Sequence, residues 1–151
     1  IPNLLYLDLN SKKEITIYIN SFGGDIESLF AIYDIIQKLS SPIKTIAIGK
    51  AYSSAALILA SGTKGKRLAH PHAQIMIHHV QIYGLEGSNK DINNKVNRFN
   101  IENKSFLKEL SKHTGNSLRK VTKDCMDDLY LNPKEAVNYG IIDKIVTSRR
   151  K

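Results

Sequence analysis

Gly49-Lys50-Ala51-Tyr52-Ser53-Ser54-Ala55-Ala56 is the stretch from which the rest of the chain can be read. Before it, Thr45-Ile46-Ala47-Ile48 is a buried-type strand that stops at Gly49. After it, Ala55-Ala56-Leu57-Ile58-Leu59-Ala60 are strong helix formers, and Gly62 closes the helix. Ser53 therefore sits on a strand-to-helix elbow with Ala51 and Ala55 two positions to either side. A sharp elbow needs small neighbours at those places, as in the Gly-x-Ser-x-Gly turn of hydrolases. The helix start adds unpaired N–H groups and partial positive charge, which would stabilise an oxyanion formed at Ser53. Taken alone, the stretch also reads as Ser53 and Ser54 simply capping a helix.

Working outward, Glu14-Ile15-Thr16-Ile17-Tyr18-Ile19 alternates with the period of a strand and breaks at Asn20-Ser21-Phe22-Gly23-Gly24. Asp25 then caps a helix with Ile26, Leu29, Phe30, Tyr33, Ile36 and Leu39 on one face, ended by Ser40-Ser41-Pro42. Strand, helix, strand with short connections is a right-handed βαβ unit, so the sheet is at least partly parallel. Beyond the elbow, Arg67-Leu68-Ala69 and Gln74-Ile75-Met76-Ile77 read as two more strands. One long helix runs from about Ser88 to His113, its apolar spacing interrupted by Asn103. It is longer than a small domain needs and is expected to project and pack on another subunit. A short helix follows Gly115 at Asn116-Ser117, and another starts at Asn132-Pro133 and ends before Gly140. Ile141 to Val146 reads as the closing strand.

The 151 residues are enough for one self-sufficient domain, read here as residues 1–151, with the natural N-terminal segment expected to be missing because the first residue is Ile1. No apolar run is long enough to span a membrane, so a soluble protein is expected. A single cysteine, Cys125, excludes an internal disulfide framework and fits a reducing compartment. The net charge of +8 raises nucleic acid as a partner, yet the lysines are scattered and Arg149-Arg150-Lys151 supply three of the charges. No basic stripe is interleaved with aromatics, and neither nucleic acid nor a membrane is expected as a partner.

His78 ends the strand Ile75-Met76-Ile77 and can stand beside the elbow as a general base for Ser53. Its neighbour His79 would point to the opposite face of the strand. A third group must orient the imidazole, and carboxylates cluster at Asp124, Asp127 and Asp128. The Gly23-Gly24 turn can offer backbone N–H as an oxyanion donor and lets a substrate backbone approach closely. The elbow serine, the histidine and the glycine turn all fall at strand ends on one side of the predicted sheet. Two other readings carry less: His70-Pro71-His72 as a zinc site lacks a third ligand, and Cys125 as a thiol nucleophile lacks an activating context.

These residues resemble the proteolytic-subunit (ClpP) family of the Clp protease along nearly the whole chain, from about Leu5 to Val146. Ile17-Tyr18-Ile19-Asn20-Ser21-Phe22-Gly23-Gly24 resembles the family's Tyr-Ile-Asn-Ser-Pro-Gly-Gly, and Gly49 to Ala56 its serine segment. Gly62 to Arg67, Met76-Ile77-His78 and His113-Thr114-Gly115 are similar to the motifs that follow, as is Pro133 to Gly140. The resemblance implies a mixed α/β, ClpP/crotonase-like fold of repeated ββα-type units with a protruding long handle helix. It implies Ser53 as nucleophile, His78 as base, Asp128 as orienting carboxylate, and the N–H groups of Gly24 and Ser54 as oxyanion donors, with no metal. It further implies heptameric rings stacked in pairs, unfolded polypeptide as substrate, and an AAA+ Clp ATPase as partner. ATP would be used by that unfoldase, so this subunit would need no cofactor of its own. The compartment would be a bacterial cytoplasm or a plastid-type or mitochondrial interior. The chain departs from the family at Phe22, where proline is usual, at Ser54-Ala55, at His79-Val80 and at Tyr83-Gly84. Those departures surround the substrate groove and motivate a rival reading, a catalytically weak structural ring subunit assembled with an active paralogue.

Overall fold

In a computed structural model, which describes residues 1–82 and 84–147, the first element is a helix, α1 (Pro2–Asn10). Tyr83 and the terminal Arg149-Arg150-Lys151 lie outside the described residues. No periodic stripe announces α1 in the sequence, and none of its residues is buried. Its Leu4 packs on a small cluster of Ile15, Ile36 and Ile43.

The expected βαβ unit is present. Strand β1 (Ile15–Ser21), helix α2 (Ile26–Lys38) and strand β2 (Ile43–Tyr52) follow in order, and β1 pairs with β2 in parallel. Asp25 caps α2 by accepting from the Ser28 N–H at 2.8 Å. One expectation is corrected: β2 does not stop at Gly49 but continues to Tyr52. The register with β1 shifts between Ile19 and Ser21, and Gly49 sits at that irregularity with φ +76°, a conformation glycine adopts without strain. The strand thus bulges rather than ends, and the bulge delivers Ser53 directly off the sheet.

Helix α3 (Ser54–Ala60) is the most deeply buried element, with Ala56, Leu57, Leu59 and Ala60 fully enclosed. Each leucine contributes about 1.5–3 kcal/mol by its burial. Gly62 is not a left-handed cap. It is needed because a Cβ there would lie 2.5 Å from Thr45 Oγ1, so the turn after α3 presses on β2. Strands β3 (Arg67–Ala69) and β4 (Gln74–Ile77) form where the sequence placed them, both parallel to β2.

The long helix α4 (Asn89–Thr114) is capped by a reciprocal Ser88–Asp91 box and stopped by Gly115 in the left-handed conformation. Its length is roughly 39 Å at 1.5 Å per residue. Only Phe106, Leu107 and Leu110 are buried, so its C-terminal part is embedded in the body while its N-terminal part stays largely exposed. Helix α5 (Leu118–Asp124), strand β5 (Leu129–Leu131), helix α6 (Pro133–Tyr139) and strand β6 (Lys144–Ile145) complete the order. β5 runs antiparallel to β4, and the closing strand is shorter than expected because Ile141 and Ile142 are core residues ahead of it. The result is a six-stranded mixed sheet with path β5-β4-β2-β3-β6 and β1 on the other edge of β2. Buried Arg67 ties the pieces together: it bonds Asp143 Oδ1 at 2.6 Å and donates to the carbonyls of Ala60 and His113. Leaving that guanidinium or its carboxylate without the other would cost about 3–5 kcal/mol.

Candidate active site

Three neighbouring strands end together, and the pairing register decides what stands at their ends. Tyr52 lies beside Met76 in the β2–β4 pair, and Ile77 beside Leu129 in the β4–β5 pair. One residue further, Ser53 leaves β2, His78 leaves β4, and Asp128 lies opposite His78 on the approach to β5. Residues that are far apart in sequence converge because the sheet brings these strands side by side.

Ser53 occupies φ +55°, ψ −123° and is the one described non-glycine residue with positive φ. Such a conformation costs an L-residue on the order of 1–3 kcal/mol and persists only where the surroundings impose it. Here the Ser53 N–H donates to the Met76 carbonyl at 2.8 Å, and the Ser53 carbonyl accepts from Ala56 N–H at 2.9 Å. Its side chain does not cap α3, so the bland capping reading fails at this position. Ser54 is buried at the start of the helix.

His78 Nδ1 lies 3.4 Å from Asp128 Oδ1. The nitrogen is shut off from solvent and makes no aligned hydrogen bond, so the carboxylate facing it is its available partner. This contact is looser than a mature triad bond, as unliganded sites commonly are. An N–H on Nδ1 turned to Asp128 leaves Nε2 free to act as base. Of the three clustered carboxylates, Asp124 is committed elsewhere, to Lys120 Nζ at 2.5 Å and to the Tyr139 hydroxyl at 3.0 Å. Those two contacts hold the Asp124 carboxyl below its ordinary range against the opposing effect of burial. Asp127 is exposed.

His79 turns away from the site: its N–H donates to Cys125 O at 2.9 Å, and Nε2 meets Thr122 O at 3.2 Å. Val80 N–H donates to Asn103 Oδ1 on α4 at 3.1 Å. The strand end carrying His78 is thus anchored on both sides. Asn103, which interrupts the apolar spacing of α4, was the signal for this anchor, but its partner was not legible. Cys125 is buried with its thiol pushed up to about 12 by burial, which removes it as a nucleophile. His70 and His72 belong to a surface turn, and no group of three metal-binding side chains occurs among the described residues.

The glycine turn completes the site. Gly23 N–H donates to Ser21 Oγ at 3.1 Å, and Gly23 lies against the elbow itself. The Cα of Gly24 faces open space, with nothing within 4 Å of where a Cβ would be. Ser53, His78, Gly24 and Ser54 line one cleft of about 780 Å³. Beyond His78 its wall is apolar, from Ile26, Val80, Phe99 and Phe106, and at its rim Arg98 bridges Glu27 on α2 and Glu102 on α4. The structure therefore gathers every sequence-predicted site residue around one cleft, with Asp128 behind His78.

Among the described residues no helix is long and apolar enough to cross a membrane. The family model described as Clp protease matches residues 1–149 of this 151-residue chain. By that match, which spans the whole cleft and the sheet beneath it, the chain belongs to the Clp protease family of serine peptidases.

Proposed function

We propose that this chain is a serine endopeptidase subunit in which Ser53, His78 and Asp128 form the catalytic unit. Ser53 Oγ attacks the scissile carbonyl while His78 Nε2 takes its proton, and Asp128 stabilises the imidazolium through Nδ1–H. The oxyanion accepts from the N–H groups of Gly24 and Ser54. His78 then protonates the departing amine, and water, deprotonated by the same imidazole, releases the acyl group from Ser53. No metal or cofactor enters this sequence.

The observation that carries the reading is the buried Nδ1 of His78, turned to Asp128, in the same cleft as a strained Ser53. The family's ring assembly extends it. Apolar side chains stand exposed on α1, with Leu9 at 81 %, and on the handle, with Ile101 at 68 %. They suit burial against further copies in heptameric rings stacked in pairs. Unfolded polypeptide, delivered by an AAA+ Clp ATPase that spends the ATP, would then be cut inside the chamber.

The test is hydrolysis of short unstructured peptides by ring-sized material. Wild type should cleave them, and Ser53→Ala should assemble but lose on the order of a millionfold in turnover, as in the subtilisin triad. Wild-type rings without hydrolysis, alone or with the unfoldase, would support the structural-subunit reading instead. The departures at Phe22, Ser54-Ala55 and His79-Val80, which surround the cleft, are what favours that alternative.

A further inference from the structure

Side chains alternate across a strand, so residues in register at even spacing share one face of the sheet. On the face that carries His78 and Asp128, the row one step earlier is Tyr52, Met76 and Tyr130. Phe22, just past β1, extends that row: Ser21 pairs with Ala51, and the Phe22 ring meets Tyr52 edge-on with centroids 5.8 Å apart. Tyr52 in turn meets Tyr130 at 5.7 Å, with the planes at 90°. Phe22, Tyr52, Met76 and Tyr130 thus form a continuous rail across four strands, parallel to the catalytic row and lining the same cleft. Past His78 along the chain, Val80 lines the same cleft and is tied to α4, the helix that contributes Phe99 and Phe106 to it.

This rail is built rather than incidental. The Tyr52 hydroxyl bonds Gln74 Oε1, which fixes its ring, and Lys50 Nζ sits 3.4 Å from the Phe22 ring centroid. Phe22 nevertheless remains 70 % exposed and Tyr130 50 % exposed, while Met76 beneath them is buried. Rings held by their neighbours but open to the cleft offer edge-to-face and stacking contacts at little conformational cost. A polypeptide laid across the catalytic row places a residue on each side of the scissile bond. With the rail and Phe106 both lining the cleft that holds Ser53 and His78, each of those residues would have an apolar surface to meet.

We propose that Phe22, Tyr52 and Tyr130 form a specificity subsite for an aromatic side chain of the substrate polypeptide, adjacent to the scissile bond. This rests on Ser53 being the nucleophile. An aromatic guest should be favoured over alanine by about tenfold in kcat/KM, the upper range for one aromatic contact.

The experiment uses assembled protein and fluorogenic peptides in which the two residues flanking the cleaved bond are varied one at a time between phenylalanine and alanine. Wild type should prefer phenylalanine at both positions. In Phe22→Ala the preference at one position should fall to near one while the other persists, and Phe22→Tyr, which keeps the ring, should restore it. An unchanged pair of preferences in Phe22→Ala overturns the subsite while leaving the peptidase reading intact. Loss of both preferences together also overturns it, because the rail would then act only by supporting the elbow. Wild type that cleaves no peptide removes the peptidase reading, and the subsite with it.

Discussion

Replacing Gly23 by alanine tests how the oxyanion turn and the nucleophile elbow hold one another. Gly23 has φ +97°, and a Cβ there would stand 2.7 Å from the Tyr52 carbonyl oxygen, 2.9 Å from Ser53 Cβ and 3.0 Å from Ser54 Oγ. Neither of the two closest atoms can escape by a rotamer change. The elbow cannot retreat either without giving up the 2.8 Å bond from Ser53 N–H to Met76 O. The left-handed conformation costs about 1–2 kcal/mol for an L-residue. Overpacking adds about 1–3 kcal/mol, so the variant should be destabilised by about 2–5 kcal/mol. At about 2–4 °C per kcal/mol for a domain of this size, the midpoint of thermal unfolding falls by roughly 4–20 °C. A shift of Ser53 approaching 1 Å would also slow its reaction with a fluorophosphonate on the order of a hundredfold. Gly24→Ala is the internal control, because its Cβ meets nothing within 4 Å. It should melt within about 1 kcal/mol of wild type. Gly23→Ala that melts and reacts like wild type, or Gly24→Ala that proves the less stable of the two, would refute the reasoning.

Two further outcomes follow from the structure. Burial, with Lys112 close by, pushes His113 down to about 4, and its Nε2–H donates to the Tyr33 hydroxyl, which itself donates to Glu109. Its folded-state value is below the unfolded one, so stability is fully present above about pH 6.5 and declines as pH falls towards 4. The decline should stay under about 3 kcal/mol because the ring is only partly enclosed. His113→Gln should flatten that segment of a stability-against-pH curve measured by urea unfolding. Asn103→Leu should leave the Val80 N–H unpaired and cost about 1–3 kcal/mol, with slower fluorophosphonate labelling. Asn103→Asp, which keeps the acceptor, should label close to the wild-type rate.

Much of the site was readable because its chemistry coincides with strong local signals. Ser53 stands where an apolar strand meets an alanine-rich helix, and His78 follows the apolar run Ile75-Met76-Ile77; both boundaries are visible in single-residue terms. The caps at Asp25 and Asn132 use side-chain oxygens at the positions where helices start, and both are observed. Asp128 was not separable from Asp124 and Asp127 by local signals alone. Its selection depends on the antiparallel β4–β5 register, a non-local property, and β5 itself is only three residues long. The continuation of β2 through Gly49 was missed because glycine marks both a strand end and a bulge, and only the partner strand distinguishes them. Helix α1 was missed because only Leu4 packs on the body and none of its residues is fully buried, so it carries no amphipathic stripe. The aromatic row shows why pairing matters. Phe22, Tyr52 and Tyr130 share no sequence motif, and only the register makes them neighbours.

The central claim, that Ser53, His78 and Asp128 act as one activated unit, is tested most directly by treating assembled protein with a fluorophosphonate and mapping the adduct by intact mass and peptide analysis. The account predicts one adduct per subunit, confined to Ser53, abolished by His78→Ala and strongly slowed by Asp128→Asn. Labelling at Ser54, labelling that persists in His78→Ala, or no labelling in ring-sized material would contradict it.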